Sequence, residues 1–239
     1  MCYNTLMSST FSSDGVVSAP LKISIIPSLL AADFGHLADE VRRAAASGAD
    51  ALHLDIMDAH FAPNLSFGPG VVAVARSAAP ELWRHVHLMM TRPDLYLEAF
   101  AAAGAQTLQI HVEADCDVRR ELRRIAALGM RPALAINPET PVEAVLPYLG
   151  LVPEVMVMTV HPGSGGQAFI EECLPKIASL RALAPMLDIA IDGGANDDTS
   201  RRAVAAGANM VVAGSHLFKR GDMRSAVAAL RSAIDGRAG

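Results

Sequence analysis

The segment Ala51 to Phe61, ALHLDIMDAHF, carries imidazole, carboxylate and thioether at every second position. Alternation along a strand projects His53, Asp55 and Met57 from one face and Leu52, Leu54 and Ile56 from the other. A buried face does not keep His and Asp unless they are paired or bind a metal, because an unpaired charge there costs on the order of several kcal/mol. The plain alternative, for this segment alone, is a hydrogen-bonded core histidine beside a capping aspartate. A second segment, Trp83 to Met90 (WRHVHLMM), repeats the pattern with His85, His87 and Met89 on one face. A third, Asp188 to Gly194 (DIAIDGG), ends an apolar run in Asp192 and two glycines. Together His53, Asp55, His87 and Asp192 make a four-ligand set for one divalent ion, zinc first, with iron, manganese or cobalt also suited.

Glycines cluster in three later segments: Gly163, Gly165 and Gly166 in HPGSGGQAF, Gly193 and Gly194 in DGGAN, and Gly214 with Ser215 in VAGSH. Each alone reads as a tight turn. Three together, each following a strand, point to a phosphorylated ligand held by successive backbone N–H groups. Met57, Met89 and Met158 fall at strand ends and would form a deformable apolar cover, excluding water from a carbanion. A Schiff-base lysine is disfavoured. Of the only lysines, Lys22 begins a strand, Lys176 sits in a helical stretch and Lys219 lies several residues beyond the last strand.

These residues need a scaffold. From Leu21 onward, short apolar runs alternate with stretches of helical period. The expected strands are Lys22–Pro27, Ala51–Met57, Trp83–Met89, Thr107–Val112, Arg131–Ile136, Glu154–Val160, Asp188–Asp192 and Asn209–Ala213, with room for a helix between each pair. Asp33 is placed to cap the first helix, and Gly48, Gly104, Gly129 and Gly207 to end helices in the left-handed conformation. Met223 to Ile234 reads as the eighth helix. No G-x-G-x-x-G follows the first strand. Eight regular units therefore favour an α/β architecture of one closed (β/α)₈ barrel, the TIM barrel, over an open doubly wound sheet. In such a barrel the chemistry belongs at the carboxyl ends of the strands, where the candidate residues lie.

The rest of the composition narrows the options. At 239 residues and half apolar, the chain can fill one large core, expected over residues 21–239 as the catalytic barrel. A formal charge of −5, with no evident cluster of Lys and Arg, argues against a nucleic-acid partner. Cys2, Cys116 and Cys173 form no C-x-x-C pair and suit a reducing compartment. Residues 1–20 are Ser-rich and free of Lys and Arg, a disordered tail rather than a secretory or transit signal. No apolar run is long enough to span a membrane, so the expected home is the cytoplasm.

Read in order from Lys22, the strings IIPSLLAADF, HLDIMDAHFAPN, HVHLMM followed by RPD, NPETP, MTVHPGSGGQAF, DGGAN and VAGS resemble the ribulose-phosphate 3-epimerase family, including relatives acting on allulose 6-phosphate. The resemblance implies a (β/α)₈ barrel and matches His53, Asp55, His87 and Asp192 to metal ligands. It matches Asp55 and Asp192 to the acid/base pair, and Ser28, His87, Gly163 to Gly166 (Ser164 included), Asp192, Gly193, Gly194, Gly214 and Ser215 to substrate contacts. It further implies a homo-oligomer. The reaction so implied interconverts D-ribulose 5-phosphate and D-xylulose 5-phosphate in the pentose phosphate pathway. One carboxylate removes the C3 proton, the other returns one on the opposite face, and a Lewis-acidic metal stabilises the enediolate between. No nicotinamide or flavin is needed. Two alternatives stay open: the same chemistry on D-allulose 6-phosphate, whose branch MTRPD and NPETPVEA resemble, and a silent sugar-phosphate-binding barrel.

Four positions depart from the family pattern. Ala59 stands where Gly is usual, and costs on the order of 1 kcal/mol if its backbone has positive φ. His85 stands for a frequent Asp, with packing alone as its plain reading. His161 replaces an acidic residue or Asn, and Ser164 replaces an aromatic residue in the loop after the sixth strand.

Overall fold

The computed structural model describes residues 21–236, so the expected tail over residues 1–20 lies outside the described residues. Eight parallel strands alternate with helices: β1 Ser24–Pro27, β2 Ala51–Met57, β3 Trp83–Met89, β4 Thr107–His111, β5 Arg131–Ile136, β6 Glu154–Met158, β7 Asp188–Asp192 and β8 Met210–Ala213. They pair in the order β1-β8-β7-β6-β5-β4-β3-β2. The circle closes where Ser28 bridges His53 in parallel, completing a (β/α)₈ barrel. Every expected strand is present, four with an end one or two residues inside the expected bound.

The helices are α1 Leu37–Ala46, α2 Pro69–Ala78, α3 Leu97–Ala103, α4 Val118–Ala127, α5 Cys173–Leu183, α6 Asp197–Ala205, α7 Ser215–Phe218 and α8 Met223–Ile234. Asp33 caps a single 3₁₀ turn, Phe34–His36, and α1 begins only at Leu37. Between β5 and β6 two 3₁₀ turns, Val142–Ala144 and Leu146–Tyr148, replace the expected helix. Pro138, Pro141 and Pro147 explain this, because each lacks the N–H a helix needs and constrains the residue before it. Gly48, Gly104, Gly129 and Gly207 do take positive φ after their helices.

Both faces of the sheet are buried, as parallel sheets require. Leu52, Leu54 and Ile56 of β2 join Val86 and Leu88 of β3 in the core between sheet and helices. Ile26, Ala51, Ala135, Met156, Met158, Ala190, Met210 and Val212 fill the lumen. At the seam opposite the site, Asp50 Oδ2 accepts from the Ile25 amide at 2.9 Å and from Arg231 at 2.8 Å, tying β1, the start of β2 and α8 together.

The acidic balance hides one basic cluster: Arg119, Arg120, Arg123 and Arg124 lie together on α4, contrary to the reading that none existed. Local partners absorb three of them. Arg120 and Arg124 pair with buried Glu121, and Arg119 binds the Pro147 carbonyl.

Ala59 has φ +61°, the only non-glycine positive φ among the described residues. Ala59→Gly should therefore raise stability by about 1 kcal/mol, seen as a higher urea midpoint at unchanged slope. Asp50→Ala should lower it by about 1–3 kcal/mol, because the Ile25 amide loses its acceptor at the seam.

Candidate active site and metal centre

Parallel register carries the sequence pattern into three dimensions. His53 pairs with His85, Asp55 with His87 and Met57 with Met89 across β2 and β3. Asp192 ends β7 on the far side of the lumen. One donor atom from each of His53, Asp55, His87 and Asp192 lies within 4.8 Å of the others, and the first three residues are buried. His53 Nε2 is 3.1 Å from Asp55 Oδ1 and 3.8 Å from Asp192 Oδ2. His87 Nδ1 is 3.3 Å and 3.7 Å from the same two oxygens. Ser28 Oγ donates to the other oxygen of Asp55 at 2.6 Å.

The donors fit a divalent cation. His53 Nε2 is buried with no hydrogen-bond partner, although Asp55 Oδ1 lies 3.1 Å away. An unsatisfied buried nitrogen of this kind costs about 1–3 kcal/mol, and a cation between the carboxylates would satisfy it. Two imidazoles with two carboxylates suit zinc and also iron, manganese and cobalt.

The field of the site acts on its titrating groups. Burial opposes charge on Asp55, but the neighbouring imidazoles of His53 and His87 outweigh it, so its carboxyl is held well below the usual range. Burial likewise opposes a charged His87, yet hydrogen bonding with Asp192 and Asp55 prevails and lifts its pKa to about 9. His111, buried behind it, is pushed down to about 4 by burial despite Glu113.

Above these groups opens a cleft of about 380 Å³, the size of a small-ligand site. Asp55 and Asp192 lie in its wall with Ser28, and Met57, Met89 and Met158 supply apolar lining. Gly163, Ser164, Gly165, Gly166, Gly193, Gly194, Gly214 and Ser215 line it as well, so all three glycine segments meet at one cleft. His161 borders the same opening and pairs with Glu139 of the loop after β5 at 2.5 Å. Lys219, disfavoured above as a Schiff-base lysine, lies in the wall with His216, where the single turn of α7 folds the chain back. Lys176 is engaged elsewhere, donating to the carbonyls of Asn137, Pro138 and Thr140.

Sequence reasoning missed His111, Glu113, Gln109 and Glu154. His111 Nε2 lies 2.8 Å from His87 Nε2, and its Nδ1 is 3.0 Å from Glu113 Oε2. Only the H-x-E spacing of His111 and Glu113 at a strand end could have drawn notice.

Residues 24–218 match the model of the ribulose-phosphate 3-epimerase family. The chain is 42% identical over 224 residues to "Ribulose-phosphate 3-epimerase, cytoplasmic isoform" of Oryza sativa subsp. japonica, covering 92% of this chain and 98% of that one. It is 39% identical over 214 residues to the "Ribulose-phosphate 3-epimerase" of Bacillus subtilis, covering 87% and 98%. Among solved structures, KGPDC from Streptococcus mutans superposes with a TM-score of 0.66 at 14% identity, covering 92% of this chain and 100% of that one, a likeness of fold alone. Among the described residues no helix is long and apolar enough to cross a membrane.

His87 gives a pH prediction for protein stripped by a chelator. A pKa raised from 6.5 to about 9 contributes stability that is full below 6.5 and lost as pH rises through about 9. The depressed His111 acts only on the acid side of 6.5. The melting temperature of the stripped protein should thus fall as pH rises across that upper interval; a flat profile would contradict the pairing of His87 with both aspartates.

Proposed function

The chain belongs to the ribulose-phosphate 3-epimerase family, and on that premise we propose that it is a metal-dependent isomerase inverting C3 of D-ribulose 5-phosphate to give D-xylulose 5-phosphate. One observation carries the reading: Asp55 and Asp192 both line the cleft while their oxygens converge on the same two imidazoles. Inversion needs two bases on opposite faces of one carbon, one to take the C3 proton and one to deliver a proton from the other side. Asp55, fixed by the Ser28 hydroxyl, and Asp192, more open to the cleft, supply those two carboxylates.

His53, Asp55, His87 and Asp192 would hold the ion. When bound, it would supply Lewis-acid chemistry, polarising the ketose carbonyl and offsetting charge that develops beside C3. The three methionines exclude water from the reacting carbon. At the other end, backbone N–H groups of the glycine segments receive the phosphate, with Lys219 and His216 nearby as cationic or hydrogen-bonding groups. The donor set favours zinc among the candidates. Ser164, small where the family pattern has an aromatic residue, keeps D-allulose 6-phosphate as the second substrate to be tried.

The test is a panel of ketose phosphates assayed for epimerisation and for deuterium uptake at C3 in D₂O. Asp55→Asn and Asp192→Asn should each lower turnover by at least about 100-fold, with bound metal quantified in each variant. Chelation should abolish turnover and zinc restore it. Activity surviving complete metal removal would contradict the metal role, and binding without turnover would make this a silent barrel.

A further inference from the structure

Two chains of hydrogen-bonded side chains lead away from the four donors, the first down into the lumen and the second to the loop after β4. In the first, His53 Nδ1 lies 2.8 Å from His85 Nδ1, and His85 Nε2 lies 2.5 Å from Glu154 Oε1. Gln109 Nε2 donates to the same Glu154 oxygen at 2.9 Å. His53, His85, Gln109 and Glu154 come from β2, β3, β4 and β6, and none exceeds 1% exposure. In the second, His87 leads through His111 to Glu113, whose Oε1 accepts from the Asn137 amide and from Thr140 Oγ1.

With Glu154 ionised, the hydrogen bonds of the first chain run in one direction. A carboxylate accepts and cannot donate, so His85 presents N–H at Nε2. A neutral ring with its proton there has a lone pair at Nδ1, and that lone pair must receive the Nδ1–H of His53. His53 is then left with a bare Nε2, the atom found 3.1 Å from Asp55 Oδ1 without a hydrogen-bond partner. The buried glutamate, no part of the cleft wall itself, thus decides which nitrogen His53 turns toward the aspartates. The His111 and Glu113 chain, by the same logic, leaves a neutral His87 with a bare Nδ1.

We propose that His85 and Glu154 are positioning residues that lock His53 in the Nδ1–H tautomer and so present Nε2 to a divalent cation. The inference rests on the metal reading above. It also gives His85 a task that packing alone would not: an imidazole extends the reach from His53 to a carboxylate on β6, where an aspartate on β3 would accept from His53 directly.

The test uses the full chain. His85→Ala should weaken zinc binding, measured by competition with a chelator, about 10–100-fold. His85→Asp should recover most of that loss. Long-range ¹H–¹⁵N spectra of the metal-free protein should show His53 as the Nδ1–H tautomer in the wild type. Should His85→Ala not fold, the near-isosteric Glu154→Gln serves instead. A carboxamide donates as readily as it accepts, so this variant should show mixed His53 tautomers and weaker zinc binding. A lower melting temperature with unchanged zinc affinity and an unchanged tautomer would reduce the pair to packing and overturn the inference alone. A wild type that binds no zinc would sink the metal reading and this inference with it.

Discussion

The structure turns on a single constraint: polar groups placed where water cannot reach them must satisfy one another. His53, His85, His87, His111, Gln109 and Glu154 are all buried inside a barrel whose lumen is otherwise filled by Ile, Val, Ala and Met. Each such group left alone would cost free energy that a domain of marginal stability does not have to spare. Two hydrogen-bonded chains solve the problem for nearly all of them, and each ends on a carboxylate. Besides Gln109 Oε1 and Glu154 Oε2 deep in the lumen, the atom they leave over is the bare Nε2 of His53 at the foot of the cleft, where a cation could satisfy it.

Strand register turns this chemical requirement into geometry. A slip of one residue between β2 and β3 would send His53 and Asp55 to the helix side and Leu52 and Leu54 into the lumen. The apolar face therefore protects the polar one. Leu52, Leu54 and Ile56 pin β2 against the helices, and the observed pairing of His53 with His85 and Asp55 with His87 follows. The closing bridge of the barrel, Ser28 to His53, lies within the site itself. Barrel closure and the hydrogen bond from Ser28 to Asp55 are thus one event, so the site is assembled by the fold and needs no separate ordering.

What the sequence disclosed follows from the same physics. Alternation on β2 and β3 and the glycines after helices are local patterns, so strands, barrel and the four donors were legible from the chain alone. The missing helix between β5 and β6 was legible too, in three prolines, but the length of that interval masked it. Glu154 and Gln109 were not legible, because a lone polar residue in a strand reveals nothing until closure brings β4 and β6 opposite β3. His85 was seen, but its link to Glu154 on β6 was hidden for the same reason. That Lys219 lines the cleft was not legible by counting residues along the chain, which ignores how one helical turn folds the backbone back.

The glycines illustrate how one residue type can answer two demands. A Cβ on Gly193 would meet Val160 Cγ2 at 2.2 Å, and one on Gly194 would meet the Phe169 backbone nitrogen at 2.6 Å, so packing alone forbids a side chain at either position. Their presence would be required even in a barrel that never met phosphate. Gly165 differs: its φ is ordinary, and a Cβ there would meet nothing within 4 Å. Neither strain nor crowding accounts for it, which leaves close approach to the cleft as its physical reason. On the proposed reading, discrimination among ketose phosphates would belong to the loop holding Gly165 and Ser164, since the floor of the cleft is fixed by the barrel and by the buried side chains beneath it.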